Sequence, residues 1–373
     1  MCAMTRIPLR PAANLSPPDL HALKADIADW ARALGFQQMG VSGIDLGEHP
    51  AHLKRWLAQG FEAGMGWMHE PKRASPAELV PNTQRIISLR MDYLPADPRI
   101  LETLADGERA YIARYALGRD YHKLIRKRVQ KLADRMSEAI GPFGYRAFVD
   151  SAPVLEKAIA SQAGLGWMGK HTLILNRHAG SYFFLAELFT DVALPVDAPV
   201  SSHCGSCSAC MNICPTQAII APYVLDANKC ISYLTIEHRG VIAEPLRRAI
   251  GNRIFGCDDC QLVCPWNRYA RASAEPDFVP RHGLDGPALL ELWHWDEATW
   301  QSRTEGMPLR RTRYEGWLRN VSIALANAPA NATIVQALEQ RRESLSSSEH
   351  LNAVVAEHID WAISEQAQKL SLR

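Results

Sequence analysis

The stretch "HCGSCSACMNICPTQAI" (203–219) returns in shortened form as "GCDDCQLVCPW" (256–266), and together these runs set the reading of the chain. Eight of its nine cysteines lie between Cys204 and Cys264; Cys2 stands apart in the N-terminal tail. Cys204, Cys207, Cys210 and Cys214 form C-x2-C-x2-C-x3-C-P, the spacing of bacterial ferredoxins. Two-residue gaps let three thiolates reach three corners of one cubane, while the Cys-Pro step turns the fourth toward a different cluster. The second run, Cys257, Cys260 and Cys264 before Pro265, matches the last three positions of the same motif. Its first position falls on Ile254, which cannot ligate, and Cys230 is the cysteine left to replace it. The exchange rule then groups Cys204, Cys207, Cys210 and Cys264 on one 4Fe–4S cluster, and Cys214, Cys230, Cys257 and Cys260 on the other. Structural zinc sites use separated C-x2-C pairs instead of chained triplets, so the spacing favours clusters.

Two clusters with interleaved ligands make a wire, and a wire implies a destination for electrons. A bare ferredoxin needs only the cysteine segment, so the two hundred residues before it argue for a catalytic domain. The chain has 373 residues, 47% of them apolar and 22% charged, with a net charge of +1. That is an ordinary globular composition, long enough for more than one core. No global field announces a nucleic-acid or membrane partner. The N-terminal residues carry no apolar export segment and no bilayer-length run, so the expected setting is a reducing cytoplasm, where cysteines bind metals or do redox work.

The pattern outside the cysteines alternates helices and strands. "DLHALKADIADWARALGF" (19–36) and "GRDYHKLIRKRVQKLADRMSEAIG" (118–141) have helical spacing with glycine stops at Gly35 and Gly141. "FQQMGVSG" (36–43), "RIISLRMDY" (85–93), "YRAFVDSAP" (145–153) and "SYFFLAELFTDV" (181–192) read as strands, and "PVLEKAIASQAG" (153–164) as a helix. We expect an α+β chain in four parts: a flexible tail (1–18), an α/β catalytic domain (19–198), a ferredoxin-like two-cluster domain (199–272) and a helical C-terminal region (273–373). In the last, "YEGWLRNVSIALANAP" (314–329) and "SSEHLNAVVAEHIDWAISEQ" (347–366) look like degenerate HEAT-like units.

The catalytic segment has no Walker loop, no G-x-G-x-x-G after a strand and no D-x-H-x-x-G for histidine-ligated cobalamin. Asp150 ends a strand before a helix expected at Pro153. There a carboxylate either caps the helix or serves a ligand as proton donor. "GLGWMGK" (164–170) is either backbone pressed against a flat cofactor or a glycine turn. Arg119, Lys123, Arg126, Lys127, Arg128 and Lys131, with Arg310, Arg311 and Arg313, form basic runs that are either solvated faces or a phosphate-tracking surface.

Taken together, "YALGRDYHK" (115–123), "FVDSAPVLEKAIA" (148–160), "AGLGWMGKHTLIL" (163–175), "GSYFFLAEL" (180–188), the eight cysteines with "CPWN" (264–267), and "LRNVSIALAN" (318–327) resemble the epoxyqueuosine reductase family. The resemblance implies reduction of the epoxide of epoxyqueuosine at a tRNA wobble position to a cyclopentene, the last step of queuosine synthesis. It implies cobalamin, bound base-off, and two 4Fe–4S clusters that pass electrons to cobalt, with Asp150 as the proton donor. It places Arg73, Asp150, Ser151, Ala152, Pro153, Val154, Leu155 and Ile174 at the cobalamin, and Lys157 and Asn176 near the tRNA. With these we group Arg126, Lys127, Arg128, Arg310 and Arg311 as the basic tRNA surface. A flavodoxin- or ferredoxin-type electron donor and a monomeric chain complete the expectation. The alternatives are a dehalogenase-like reductase of a small electrophile with the same cofactors, or a non-catalytic iron–sulfur carrier.

Overall fold

Strands rich in β-branched and aromatic residues build the centre of the molecule, and amphipathic helices cover both their faces. In a computed structural model of the protein, residues 16–96, 99–346 and 353–372 are described; Cys2 and most of the expected tail lie outside them. In chain order the helices are α1 (Pro17–Ala33), α2 (His49–Ala58), α3 (Pro76–Leu79), α4 (Ile100–Ala105), α5 (Tyr121–Ile140), α6 (Glu156–Gln162), α7 (Ala209–Ile213), α8 (Ile231–Ile236), α9 (Glu244–Ile250), α10 (Asp259–Leu262), α11 (Leu289–Trp293), α12 (Glu297–Arg303), α13 (Arg313–Asn327), α14 (Ala332–Ser346) and α15 (Ala353–Ser371). The strands are β1 (Gln38–Ser42), β2 (Arg85–Asp92), β3 (Tyr111–Ile112), β4 (Tyr145–Phe148), β5 (Trp167–Met168), β6 (Ile174–Leu175), β7 (Phe183–Thr190), β8 (Ile219–Ala221), β9 (Val224–Leu225) and β10 (Arg253–Phe255).

The main sheet has the order β1-β2-β7-β4 with every pairing antiparallel. The catalytic segment is therefore α+β in the strict sense, without the parallel crossovers that an α/β label implies. Alternation along the strands divides the burial. Val41, Ile87, Leu89, Met91, Ala186 and Leu188 face one way and share a core with Leu23 and Ile27 of α1 and Ile125, Val129 and Leu132 of α5. Ile86, Phe148 and Phe189 face the other way and pack with Ile159 of α6. Both faces are covered, which is why β2 and β7 are buried almost throughout. Gly35, the expected stop of α1, has φ +88°, and a side chain there would run into the Arg128 guanidinium.

The four expected segments do not correspond to four separate cores. β3 pairs in parallel with β10, so Tyr111 and Ile112 join the cysteine-rich segment. One apolar cluster combines Ala110, Ile112 and Leu117 with Ile254 and Phe255 and with Trp293, Trp317, Val321 and Ile359 of the C-terminal helices. In that region α13 and α14 each pack against α15. The start of the second HEAT-like candidate, residues 347–352, lies outside the described residues.

Candidate active site and cluster segment

A cleft of about 1120 Å³ opens between the α6 side of the sheet, the segment around Trp67 and Arg73, and the Arg310–Arg311 corner. It exceeds the roughly 300–1,000 Å³ of an ordinary small-ligand pocket. Its wall carries Asp150 through Lys157 in sequence, and Tyr121, His122, Met168 and Thr172 complete the polar and apolar lining.

Asp150 is not a helix cap. α6 begins at Glu156, its N-cap position is Leu155, and no side chain caps it. The helix starts three residues later than expected because Arg73 holds the intervening loop. Its buried guanidinium donates to the carbonyls of Ala152 and Val154 (3.4 and 3.3 Å) and of Trp67 (3.3 Å). Those contacts commit two of the carbonyls that a longer helix would need. Asp150 itself adopts φ 54°, a left-handed conformation uncommon outside glycine, and its N–H donates to Glu156 Oε1 at 2.5 Å.

The Asp150 carboxylate is gripped by two neighbours from the first turn of α5. Tyr121 donates its hydroxyl to Oδ2, and His122 Nε2 lies 3.2 Å from the same oxygen. Asp120 caps α5 by accepting the His122 N–H at 3.0 Å, and the same Asp120 oxygen meets His122 Nδ1 at 2.7 Å. Both ring nitrogens thus face carboxylates, and only the doubly protonated imidazolium donates from both. Burial alone would lower the pKa of His122, but its bonds to Asp120 and Asp150 outweigh this and push it up to about 9. Burial raises that of Asp150, yet His122 and then Tyr121 prevail and bring it below the usual carboxylate value. The Asp150 side chain is 57% exposed, but its exposure is into the cleft, where a bound molecule would replace the water. Sequence reading missed His122 and Tyr121 as site residues; their "GRDYHK" stretch drew attention for its basic charge and as a mark of the family, with no role given to either side chain.

The remaining expected residues divide. Arg73 and residues 150–155 do line the cleft, as do Lys157, Arg310 and Arg311. The Arg73 Nε is buried with no hydrogen-bond partner among the described residues. Arg311 pairs with Glu237 at 2.9 Å and lies over the Trp67 ring, while Arg310 donates to the Gln301 carbonyl. Three further expected residues are not among those lining the cleft. Ile174 is buried in a cluster with Ala160, Leu165 and Phe183 and is not part of the cleft lining, because β6 turns its side chain into the core. Asn176 is buried and its amide is spent on the fold, donating to Gln38 Oε1 and the Leu165 carbonyl and accepting the His178 N–H. Arg128 is half-buried and donates to the Leu34 carbonyl and to Glu275, whereas Arg126 and Lys127 are exposed. The glycines of "GLGWMGK" serve the β5–β6 hairpin: a side chain at Gly166 would meet the Leu175 carbonyl at 2.1 Å, and one at Gly169 would meet the His171 ring at 2.7 Å.

Several of the cysteines lie near enough for the charge of one to act on another. Burial raises the pKa of the Cys264 thiol, and the nearby Cys204, Cys210 and Cys207 add to this. Burial raises that of Cys260 too, with Cys230 its foremost thiol neighbour and Cys210 and Cys214 behind. Cys230 in turn stands close enough to Lys157, on the cleft wall, for the charge of each to affect the other. Lys170 ties the first cysteine loop to the β5–β6 hairpin through the Gly205 and Cys207 carbonyls (2.7 and 2.8 Å). Asn267 of "CPWN" accepts the Ser181 N–H at 2.6 Å and packs so tightly on Gly180 that no side chain fits there. The cysteine segment is thereby fixed against the same strands that carry the cleft.

Comparison with known proteins gives two matching family models: "Epoxyqueuosine reductase QueG, DUF1730" over residues 73–151 and "4Fe-4S double cluster binding domain" over residues 203–267. The chain is 60% identical to the epoxyqueuosine reductase of Pseudomonas aeruginosa over 363 residues, covering 96% of this chain and 98% of that one. It is 51% identical to the epoxyqueuosine reductase of Escherichia coli K12 over 355 residues, covering 95% and 92%. Among solved structures, the epoxyqueuosine reductase of Streptococcus thermophilus is similar with a TM-score of 0.80 and 26% identity, covering 93% of this chain and 90% of that one. An epoxyqueuosine reductase with an epoxyqueuosine-modified tRNA stem loop shares the fold, with a TM-score of 0.78 at 24% identity, covering 93% and 100%.

Proposed function

The chain belongs to the epoxyqueuosine reductase family and reduces epoxyqueuosine in tRNA, and we propose that it does so in the cleft described above, with Asp150 and His122 handling the protons. Removing the epoxide oxygen as water to leave an alkene takes two electrons and two protons. The observation that carries the reading is that the Asp150–His122 pair and the cysteine segment reach the same cleft: Lys157 lines its wall and stands beside Cys230.

Asp150 is ionised while the cleft is open to water, and the adjacent His122 holds the proton at neutral pH. A substrate that displaces water disfavours this charged pair, so the proton moves along the 3.2 Å contact to Asp150, now a neutral acid facing the oxygen to be expelled. Tyr121 keeps the carboxyl oriented throughout. The cleft suits cobalamin in size, in its mixed apolar and peptide lining and in the unpartnered Arg73 Nε. Arg73 and residues 150–155 would hold the cofactor, in the base-off form that the family resemblance implies. Bound there, cobalamin supplies the low-valent cobalt chemistry that delivers electrons to carbon.

The domain is a 4Fe–4S double cluster domain. For its ligands we assign Cys204, Cys207, Cys210 and Cys264 to one cluster, and Cys214, Cys230, Cys257 and Cys260 to the other, nearer the cleft. The exposed Cys207 side would face a flavodoxin- or ferredoxin-type donor, and the Cys230 side would face the cleft. The tRNA lies with its modified base in the cleft and its phosphates along Lys157, Arg310, Arg311 and the exposed face of α5, whose first turn forms the cleft mouth. A HEAT-like arrangement of the C-terminal helices, a monomeric state and a cytoplasmic setting belong to the same reading. No helix among the described residues is long and apolar enough to cross a membrane. Similarity to named reductases along nearly the whole chain leaves the carrier and dehalogenase alternatives without a supporting feature. The test is conversion of epoxyqueuosine tRNA to queuosine tRNA by the purified, cluster-loaded protein under reducing conditions, with and without added cobalamin. Conversion only with cobalamin is expected; equal conversion without it would remove the cofactor from the proposal.

A further inference from the structure

On the side of the β5–β6 hairpin away from the cleft, aromatic and cationic side chains surround the first cysteine run. Alternation along β5 sends Met168 to the cleft lining and the buried Trp167 to the opposite side. There the Trp167 indole meets the His203 and Trp266 rings edge-on, with each centroid at 5.0 Å. His203 precedes Cys204 and Trp266 follows Cys264 by two residues, so these contacts bring both cysteine runs to one surface. Trp266 leads on to Tyr269 at 6.1 Å, and the exposed Arg268 lies over the Tyr269 ring and donates to its hydroxyl at 2.6 Å. The exposed Cys207 joins through Lys170, which holds the Gly205 and Cys207 carbonyls. The turn at 176–180 packs on Asn267 through Gly180 and brings the exposed Arg177 to the neighbourhood of Arg268. A shallow depression of about 500 Å³, lined by Tyr182, Cys264, Pro265, Asn267 and Arg268, opens on this face.

Charge is unevenly spread here. The chain has 40 aspartates and glutamates, and none falls in residues 157–186, 198–225 or 260–274, the segments that supply the face. At their borders Asp197 is paired with Lys24, Asp259 with Arg253 and Glu275 with Arg128. A 4Fe–4S cluster held by four thiolates is itself anionic, so added carboxylates would repel an acidic partner, whereas surrounding cations let it approach.

We propose that this face docks the electron donor, and that the donor is a small acidic protein with a one-electron centre near its own surface. The proposal rests on the cluster assignment given above. Lys170, Arg177 and Arg268 supply the attraction, and Pro265, Tyr269 and the depression supply the apolar contact. Cys207 and Cys264 bring their cluster to the surface that the donor meets. In each encounter the donor is oxidised by one electron and the cluster is reduced by one, with no bond made or broken. RNA phosphates are the other anions that such cations suit, but the hairpin separates this face from the cleft that takes the modified base.

Anaerobic stopped-flow mixing of the cluster-loaded full chain with a reduced, acidic flavodoxin, without tRNA or cobalamin, reads the docking step. The second-order rate constant for cluster bleaching should fall with salt in wild type. At low salt it should be lower by about tenfold or more in Arg177→Glu/Arg268→Glu, and the gap should close as salt is raised. Arg32→Glu/Arg135→Glu makes the same change in net charge at exposed positions of α1 and α5 and should stay near wild type. Iron content and the visible spectrum establish that the clusters are intact, and the milder Arg177→Gln/Arg268→Gln should lose less in the same direction. No reduction of wild type by the flavodoxin, a rate constant unmoved by reversal at Arg177 and Arg268, or an equal loss in both reversals would each overturn the docking face. A fall in the limiting rate alone, insensitive to salt, would also overturn it, since the cations would then only tune the cluster. Loss of tRNA affinity with cluster reduction unchanged would make the face an RNA surface instead. Docking kinetics as expected with no turnover of epoxyqueuosine tRNA by wild type would overturn the functional reading and leave the docking face standing.

Discussion

Asp150 stands where an apolar strand gives way to a loop, and its chemistry depends on residues 28 and 29 positions earlier in the chain. Replacing it with asparagine keeps shape and much of the hydrogen bonding to Tyr121 and His122 but removes the transferable proton. General acid catalysis is typically worth about a hundred- to ten-thousand-fold. Asp150→Asn should therefore keep its clusters and bind tRNA, yet lose at least roughly a hundredfold in single-turnover rate; a near wild-type rate would move the proton source elsewhere. Cys230→Ser should lose roughly half of the bound iron, because one of two cubanes loses a corner thiolate. Unchanged iron and visible absorption would remove Cys230 from the ligand set. The cysteines were legible because cluster ligation writes its geometry into local spacing. His122 was not, since nothing near residue 122 announces a carboxylate 28 residues later. Asn176 and Ile174 show the converse, side chains within a motif whose work is internal to the hairpin.

At the level of elements, α5 is where the charge pattern and the fold meet. Its apolar positions were readable and do pack on the sheet, but a half-buried arginine such as Arg128 cannot be told from an exposed one by charge alone. The N-terminus of α5 also makes the fold sensitive to pH. His122 rises on folding from an ordinary 6.5 to about 9, so its contribution is complete below pH 6.5 and is lost as the pH climbs through 9. Glu156, raised from 4.5 to about 8, acts in the same direction. The thermal midpoint should fall between pH 6.5 and 9, and less steeply in His122→Asn; parallel curves would mean that the imidazole is not ion-paired as described. Asp258 links the elements around the clusters. It is buried and accepts from the Tyr111 hydroxyl (2.6 Å) and the Arg114 N–H (2.8 Å), joining the second cysteine loop to β3. Asp258→Ala leaves both donors unsatisfied and should cost about 2–6 kcal/mol by denaturant unfolding, at roughly 1–3 kcal/mol per buried unsatisfied group. A loss below about 1 kcal/mol would show that these donors find other partners.

Over the whole molecule, long-range pairing overrides the order of segments: β3 with β10, and the 110–117 stretch with the C-terminal helices. Local periodicity located the elements but carried no information on such pairings, so a division by sequence position could not foresee the shared core. The first turn of α5 lines the cleft, and the next turn carries the exposed Arg126 and Lys127. Reversing Arg126 and Lys127 to glutamate should weaken tRNA binding and flatten its salt dependence by roughly one to two units of log–log slope, as fewer counterions are released. Equal binding across a salt series would return this face to simple solvation. The central claim, that this chain removes the epoxide oxygen in tRNA through Asp150 in the cleft, is tested most directly in a bacterial strain lacking its own reductase of this kind. Mass spectrometry of its tRNA should show epoxyqueuosine replaced by queuosine when the wild-type chain is supplied. With an equally abundant, cluster-loaded Asp150→Asn chain, epoxyqueuosine should persist. Epoxyqueuosine persisting with wild type, or full conversion to queuosine by the variant, would contradict the account.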